Sequence, residues 1–337
     1  MRRSRLAGWA RRCVSAVALT GLLAGCAPGQ FSTQAQRIGP DDGTDACRTY
    51  LVALDSTGNF FGAQIVTGAA IGALGGAALG GLISGSWRGA ALGALAGGVA
   101  GGTTAYWSAL QQQQMDQAAL YQRVSSDLER ENAQIDKTQL AFDELTDCRF
   151  RQAQTIRADY HAGRIGRAQA EAAMDQVRDR ARRDLQLAQL ISRQIQDRGQ
   201  QFQVAVSNVG PGPAPRPPAV APQPAVLRRS AALKIRPDPS APDIARLHPH
   251  ERVQVTGGRN GYALVETPNG SRGYLAASDL QSPGARRSVS IVSSVARSNG
   301  GDVRTLAGSN AARRDDFAQS VAVTQSAQAS GFELTAG

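Results

Sequence analysis

Histidine is scarce in this chain of 337 residues, and the common catalytic motifs are missing from it. Only His161, His248 and His250 are present, and the last two flank a proline at a predicted turn. Glu251 alone does not complete a metal-ligand set beside them. The sequence contains no Gly-x-Ser-x-Gly, no His-Glu-x-x-His and no Gly-Lys-Ser/Thr phosphate loop. It therefore predicts a protein that is not an enzyme and that binds no metal or cofactor.

Acidic residues are outnumbered, and the formal net charge is +10. Much of this excess lies in residues 1–12, which carry five arginines and no acid. Residues 13–23 are almost wholly apolar and too short to span a membrane efficiently, so residues 1–25 are predicted to be a signal peptide. Its removal lowers the net charge to about +5, which leaves little support for a nucleic-acid partner.

The signal peptide ends in Leu23-Ala24-Gly25-Cys26. This ending resembles the lipobox of bacterial lipoproteins, which implies cleavage before Cys26 and acylation of its thiol and new amino group. Ala27 stands where an aspartate commonly retains such lipoproteins in the inner membrane. The resemblance therefore implies a lipid-anchored (palmitate-carrying) protein of the outer membrane that faces the periplasm.

Residues 26–59 are predicted to form a tether followed by a short helix over residues 42–56, which Thr57-Gly58-Asn59 ends. Cys47 and Cys148 are the remaining pair, and an oxidising periplasm favours a disulfide. If one straight helix ran from Trp107 to Cys148, the two cysteines would lie too far apart to pair. Either the first long helix folds back, or the bond links two protomers.

Residues 60–107 are rich in glycine and contain one base, Arg88, and no acid. Two series of glycines are spaced four residues apart: Gly68, Gly72, Gly76 and Gly80, then Gly81, Gly85, Gly89, Gly93, Gly97 and Gly101. Residues four apart share one helix face, so each series predicts a groove for close helix packing. We expect a membrane hairpin that turns near Arg88.

Aromatic residues flank this segment, and Phe60, Phe61, Tyr106 and Trp107 are predicted to form an interfacial belt. The segment resembles the glycine-zipper two-helix domain of bacterial outer-membrane lipoproteins, the group that includes the rickettsial 17 kDa surface antigen. The resemblance covers residues 62–107 and implies helix packing in the membrane. It favours a homo-oligomer.

Residues 108–207 contain apolar residues at three- and four-residue spacing, including Val124, Leu128 and Ile135, with interruptions at Glu131 and Thr138. A similar pattern returns over residues 174–202. The segment between, residues 160–166, has glycines suited to a tight turn. We predict a long antiparallel helical (coiled-coil) hairpin, followed by a proline-rich linker over residues 208–226.

Residues 227–281 are predicted to form a small all-β domain of five strands: 233–236, 244–247, 252–256, 262–266 and 272–276. The segments LKIRPDPS at 233–240, GYALV at 261–265 and GYL at 273–275 resemble the conserved strands of bacterial SH3 domains. Tyr262 and Tyr274 replace two tryptophans of that family. The resemblance implies an SH3-like barrel that binds peptidoglycan or a peptide through Tyr262 and Tyr274.

Residues 282–337 are rich in Ser, Ala and Arg without a sustained pattern, and we predict a disordered tail with at most a marginal helix over residues 310–325. The chain is thus predicted to combine α-helical modules, an SH3-like barrel and a disordered tail. The function expected is a non-catalytic envelope lipoprotein that organises the outer membrane relative to the cell wall. Two alternatives remain: an oligomeric, pore- or ring-forming membrane protein, and an accessory subunit of a wall-remodelling or secretion assembly.

Overall fold

The computed structural model describes residues 33–62, 103–210, 221–281 and 300–334. The helices are α1 Gln34–Ile38, α2 Arg48–Gly62, α3 Ala105–Gln111, α4 Gln117–His161, α5 Arg167–Val209 and α6 Val303–Ser330. The strands are β1 Gln223–Val226, β2 Ala231–Lys234, β3 Asp243–Leu247, β4 Arg252–Arg259, β5 Tyr262–Glu266 and β6 Arg272–Ala276. Helix α1 belongs to a separate unit that ends at Asp42, and the elements from α2 onward form the main unit.

Helices α4 and α5 form the predicted antiparallel hairpin and carry most of the main unit. Helix α4 begins after Asp116, whose side chain accepts a hydrogen bond from the Ala119 backbone N–H. The turn between the helices contains Gly163 with a φ of 69°, a conformation that favours glycine. Glu131 of α4 contacts Arg198 of α5. Arg149, which comes later in α4, contacts Asp184, which comes earlier in α5. The two helices therefore run in opposite directions.

Helices α2 and α3 lie one after the other along the same groove between α4 and α5. In α2, the Thr57 carbonyl accepts a hydrogen bond from Gln134 of α4. Helix α3 packs the Tyr106 ring 5.1 Å from that of Phe202 in α5. Residues 63–102, which join the two helices, lie outside the described residues.

Helix α2 begins and ends later than predicted, since residues 57–59 lie inside it. Gly58 does not end the helix, because it faces α5 at close range: a Cβ atom there would lie 2.2 Å from Ile191 Cδ1. This glycine permits close packing between helices. Because it lies between Thr57 and Asn59, the local sequence was typical of a turn and predicted the end of the helix.

The hairpin also begins later than predicted, because residues 112–116 form a turn that reverses the chain. Gln114 has a φ of 49° there, and Asp116 caps the following helix. Helix α3 therefore runs antiparallel to α4 rather than continuing into it. This reversal carries α4 back along α2 and removes the distance objection to an intrachain disulfide.

The flanking aromatic residues do not form an exposed belt. Phe61 and Tyr106 are 3% and 1% exposed and belong to the core of the helical bundle. Phe60 and Trp107 are partly buried. The prediction of an interfacial belt is therefore wrong for Phe61 and Tyr106. Among the helices in the described ranges, none combines the length and apolar character that crossing a bilayer requires.

Residues 303–330 form α6, so the helix is longer than the marginal one allowed over residues 310–325, and the prediction of disorder is wrong for the remainder of that range. This helix lies in the second groove of the α4–α5 hairpin, where Phe317 packs 5.6 Å from Phe142. Its buried face mixes apolar side chains with Asn310, Arg313 and Arg314. Polar residues at core positions hide the helical period, which is why the sequence pattern did not predict its full length. Residues 282–299 and 335–337 lie outside the described part of the chain.

All five predicted strands are present in one six-stranded antiparallel sheet of order β1-β4-β5-β6-β2-β3. The additional strand, β1, pairs with β4 and lies in the segment that was predicted to be part of the linker. Residues 211–220 of that linker are outside the described residues. Asn260 and Gly261 turn β4 into β5 with φ of 51° and 78°, as a tight hairpin requires.

The close contact at Gly58 yields a prediction with a matched control in the same helix. Gly58→Ala should destabilise the protein by about 1–3 kcal/mol, because the clash with Ile191 outweighs the gain in helix propensity. Gly62→Ala should be neutral or slightly stabilising, since its Cβ would meet only the end of the Gln194 side chain at 3.3 Å. Chemical denaturation followed by circular dichroism measures both. Equal effects would contradict close packing at Gly58.

Candidate functional site

Helix α2, which precedes the glycine-rich residues 63–102 in the chain, ends beside a buried ion pair. Arg198 of α5 donates to both carboxylate oxygens of Glu131 at 2.6–3.1 Å. Arg198 and Glu131 are 6% and 1% exposed. The Arg198 guanidinium also lies 4.7 Å from the centre of the Phe60 ring, a favourable cation–π distance. This pair explains why Glu131 interrupts the apolar pattern of α4.

Helix α3, which follows those residues in the chain, begins beside a second polar contact. The Tyr106 hydroxyl donates to Asp127 Oδ2 at 2.9 Å, and Arg123 donates to the same oxygen. Burial, together with the adjacent Asp127 carboxylate, raises the pKa of Tyr106 well above its usual range. The hydroxyl therefore stays protonated and remains a hydrogen-bond donor.

The two ends of the segment meet the bundle one helical turn apart. Asp127 and Glu131 are four residues apart in α4, and so are Arg198 and Phe202 in α5. Four residues of helix rise about 6 Å. The residues that flank positions 63–102 are thus held side by side on one rigid surface, as the two ends of a hairpin would need to be.

The start of α2 is fixed covalently to α4, since Cys47 and Cys148 form an intrachain disulfide. Next to it, Arg149 donates to Asp184 at 2.7 Å and to Asp45 at 2.8 Å. Burial raises the pKa of Asp45, but the hydrogen bonds and charge of Arg149 outweigh it, and the net pKa lies below the usual range. The chain before α2 is therefore held to both long helices.

Tyr274, which was predicted to bind a ligand, is 1% exposed and covered by the helices. It lies in a buried cluster with Leu264 of β5, Phe150 of α4 and Val323 of α6. Tyr262 is partly buried against the same cluster. In this arrangement the Tyr274 ring is not available to a ligand, because it forms part of the interface between the sheet and the bundle.

Charged side chains border this interface. Arg236 donates to Asp147 of α4 at 2.9 Å, and Arg259 lies 3.0 Å from Asp316 of α6. Asp143 lies among them, and burial raises its pKa to about 6, although Arg236 and Arg259 favour its charged form. The sheet is therefore attached to the bundle by apolar contacts and by ion pairs at their edge.

A cavity of about 730 Å³ lies at the far end of the α4–α5 hairpin, next to the disulfide. We call it the tip groove. It lies beside the start of α2, and Thr44, Ala46, Cys47 and Tyr50 contribute to its lining. Its walls come from α4 with Arg151, Gln152 and Ile156, and from α5 with Val177 and Arg180. No sequence pattern indicated this site, because its residues are separated along the chain.

Cys26 and the ten packing glycines from Gly68 to Gly101 lie outside the described residues. Within the described ranges, no cluster of three or more His, Cys, Asp or Glu side chains is arranged to hold a metal ion. Comparisons of the chain with protein-family models, curated proteins and solved structures found no match.

The disulfide yields a prediction that separates intrachain from interchain pairing. The full chain, alkylated and run without reductant, should migrate as a monomer whose mobility changes on reduction. Cys148→Ser should abolish that change and destabilise the fold by about 3–5 kcal/mol, the range expected when a loop of about 100 residues is no longer closed. A reducible dimer that disappears in Cys148→Ser would show that the bond links two protomers.

The raised pKa of Asp143 yields a pH-dependent prediction. Between about pH 4 and pH 6 the folded state holds a proton that the unfolded state has lost, so this group lowers stability as pH rises through that window. Asp143→Asn should therefore match the wild type at pH 4 and exceed its stability by about 1–3 kcal/mol at pH 7.5. Urea unfolding at both pH values measures the difference. The same difference at both values would contradict the shift.

Proposed function

We propose that this protein is a non-catalytic lipoprotein of the bacterial cell envelope, attached to the outer membrane and facing the periplasm. Lipidated Cys26 and a glycine-zipper hairpin within residues 60–107 anchor it. The helical bundle and the attached sheet, an SH3-like module, form a rigid head that contacts the cell wall or a periplasmic partner. The observation that carries the proposal is the adjacent placement of the two ends of the glycine-rich segment.

The tether after Cys26 is long enough for the lipid and the proposed hairpin to lie in the same membrane. Cys26 lies 17 residues before Gly43, and five of these residues form α1, so the tether spans at most about 50 Å. The 15 residues of α2 cover only about 22 Å. The lipid can therefore reach the bilayer into which a hairpin leaving at Gly62 would insert. Several acyl chains together with such a hairpin would hold the protein essentially permanently.

We call the end of α2 and the start of α3, which flank residues 63–102, the two exits. The contacts around them suit a protein that must stay fixed to its anchor. The disulfide holds the start of α2, and the Arg198–Glu131 pair holds its end. Tyr106 and Asp127 hold the start of α3. Because these contacts join both exits to α4 and α5, a displacement of the hairpin would be passed directly to the head. A flexible tether would need none of these contacts.

A deletion can test the anchoring, because the two exits are about one helical turn apart. Replacing residues 63–102 with a short Gly-Ser linker should leave the head folded, with its disulfide formed and its unfolding midpoint nearly unchanged. The deletion alone and Cys26→Ser alone should each remain in the membrane fraction after a carbonate wash. The two changes together should release the protein into the soluble fraction.

Three results would count against this part of the proposal. A deletion variant that fails to form the disulfide would show that the exits do not meet. A combined variant that stays in the membrane would place the anchor elsewhere. If the full chain cross-links into a ring of fixed size and conducts ions in vesicles, the pore-forming alternative replaces the tether.

Contact with the cell wall is tested by sedimentation with purified peptidoglycan sacculi. The detergent-solubilised full chain should sediment with the sacculi, and the deletion variant should do so equally, because the head is retained. A chain that stays in the supernatant would remove the wall from the proposal and leave a periplasmic protein as the partner.

A further inference from the structure

The tip groove has the size and position of a binding site. Its volume, about 730 Å³, falls within the range of about 300–1,000 Å³ that is usual for small-ligand sites. Its walls are rigid, because the disulfide and the Arg149 contacts fix α2, α4 and α5 to one another beside it. A ligand would therefore meet a formed cavity and would not have to order it, which lowers the cost of binding.

Arginines from two helices stand at the groove. Arg151 of α4 is 60% exposed and makes only a 3.3 Å contact with Asp147. Arg180 of α5 donates to the carbonyl and the hydroxyl of Thr44 at 3.1 and 2.6 Å, and these bonds use two of its five N–H donors. Guanidinium groups placed in this way bind carboxylates in a directed, often bidentate manner.

The remaining lining has the chemistry of a peptide site. Gln152 and Gln176, from opposite helices, each offer an amide donor and acceptor. Ile156 and Val177 add apolar surface that would accept small side chains. Glu144 lies at the other end of the lining, and its carboxylate is suited to an ammonium group. Charges of both signs thus line one cavity.

The spacing of these charges sets the length of the ligand. Glu144 and Arg151 are seven residues apart in α4, which is two helical turns and about 10 Å. An extended peptide covers about 3.3–3.6 Å per residue. An amino group and a carboxylate about three residues apart would therefore reach Glu144 and Arg151 at once.

We propose that the tip groove binds a short zwitterionic peptide, with its carboxylate at Arg151 and Arg180 and its amino group toward Glu144. This inference rests on the proposed function, because the peptide stems of the cell wall belong to this chemical class. It moves the contact with the wall from Tyr262 and Tyr274 of the sheet to the far end of the helical hairpin. The covered position of Tyr274 supports that change.

The test uses the full chain in detergent and muropeptides released from sacculi by a muramidase, with binding measured by calorimetry. Arg151→Ala and Arg180→Ala should each weaken binding about tenfold, and Ala173→Trp, which fills the groove, should abolish it. Arg182→Ala is the matched control, because Arg182 lies on α5, is 64% exposed and pairs with Asp179 outside the lining. Unfolding midpoints confirm that each variant is folded.

Chemical modification of the probe tests the ligand class. Muropeptides with amidated carboxyl groups should bind the wild type about tenfold more weakly, and so should muropeptides with acetylated amino groups. The disaccharide of N-acetylglucosamine alone should not compete. Competition by the sugar would overturn the peptide assignment.

The outcomes also separate this inference from the proposed function. If the wild type sediments with sacculi but the groove variants bind muropeptides like the wild type, the tip groove is not the site and the proposed function stands. Loss of binding in Tyr262→Ala alone would return the site to the sheet. If the wild type binds neither sacculi nor muropeptides, the inference and the wall contact both fail.

Discussion

Two buried ion pairs between α4 and α5 fix the register on which the rest of the structure depends. Arg198–Glu131 and Arg149–Asp184 join the same two helices near opposite ends of α2. Each charge is almost fully removed from water, so an axial slip of one turn would leave charges buried and unpaired at a cost of several kcal/mol. Apolar contacts alone would tolerate such a slip more easily. The pairs thus select one alignment of the hairpin.

That alignment creates two grooves, and the remaining elements fill them. Helices α2 and α3 occupy one groove in line, and residues 63–102 stand between them in the sequence. Helix α6 occupies the other groove, and the sheet packs against both α4 and α6. The tip groove lies beside the start of α2, whereas the exits lie at its end and at the start of α3. The exits of the proposed anchor and the proposed peptide site are therefore separated by the length of α2.

Several features were predictable because they depend on neighbours in sequence. The strands follow from alternating apolar residues and from turns such as Asn260-Gly261, whose backbone preference is local. The turn between α4 and α5 at Gly163 was predictable for the same reason, because glycine favours that backbone conformation locally. The full length of α6 was not predictable in this way, because Asn310, Arg313 and Arg314 are buried at positions where an amphipathic helix normally carries apolar residues. Their partners, including Asp136 for Arg313, lie in α4, so no local signal marked them as core residues.

The sequence by itself determined the long helices α4 and α5, the strands β2 to β6, the position of the acid-free glycine repeat, and Cys47 with Cys148 as a candidate pair. These properties depend on spacing and composition. Only the tertiary structure decided that residues 112–116 turn the chain back, that Gly58 is a packing contact, and that Tyr274 faces the helices. It also placed Arg151 and Arg180 at one cavity. Each of these depends on side chains far apart in sequence, which the register of the α4–α5 hairpin brings together.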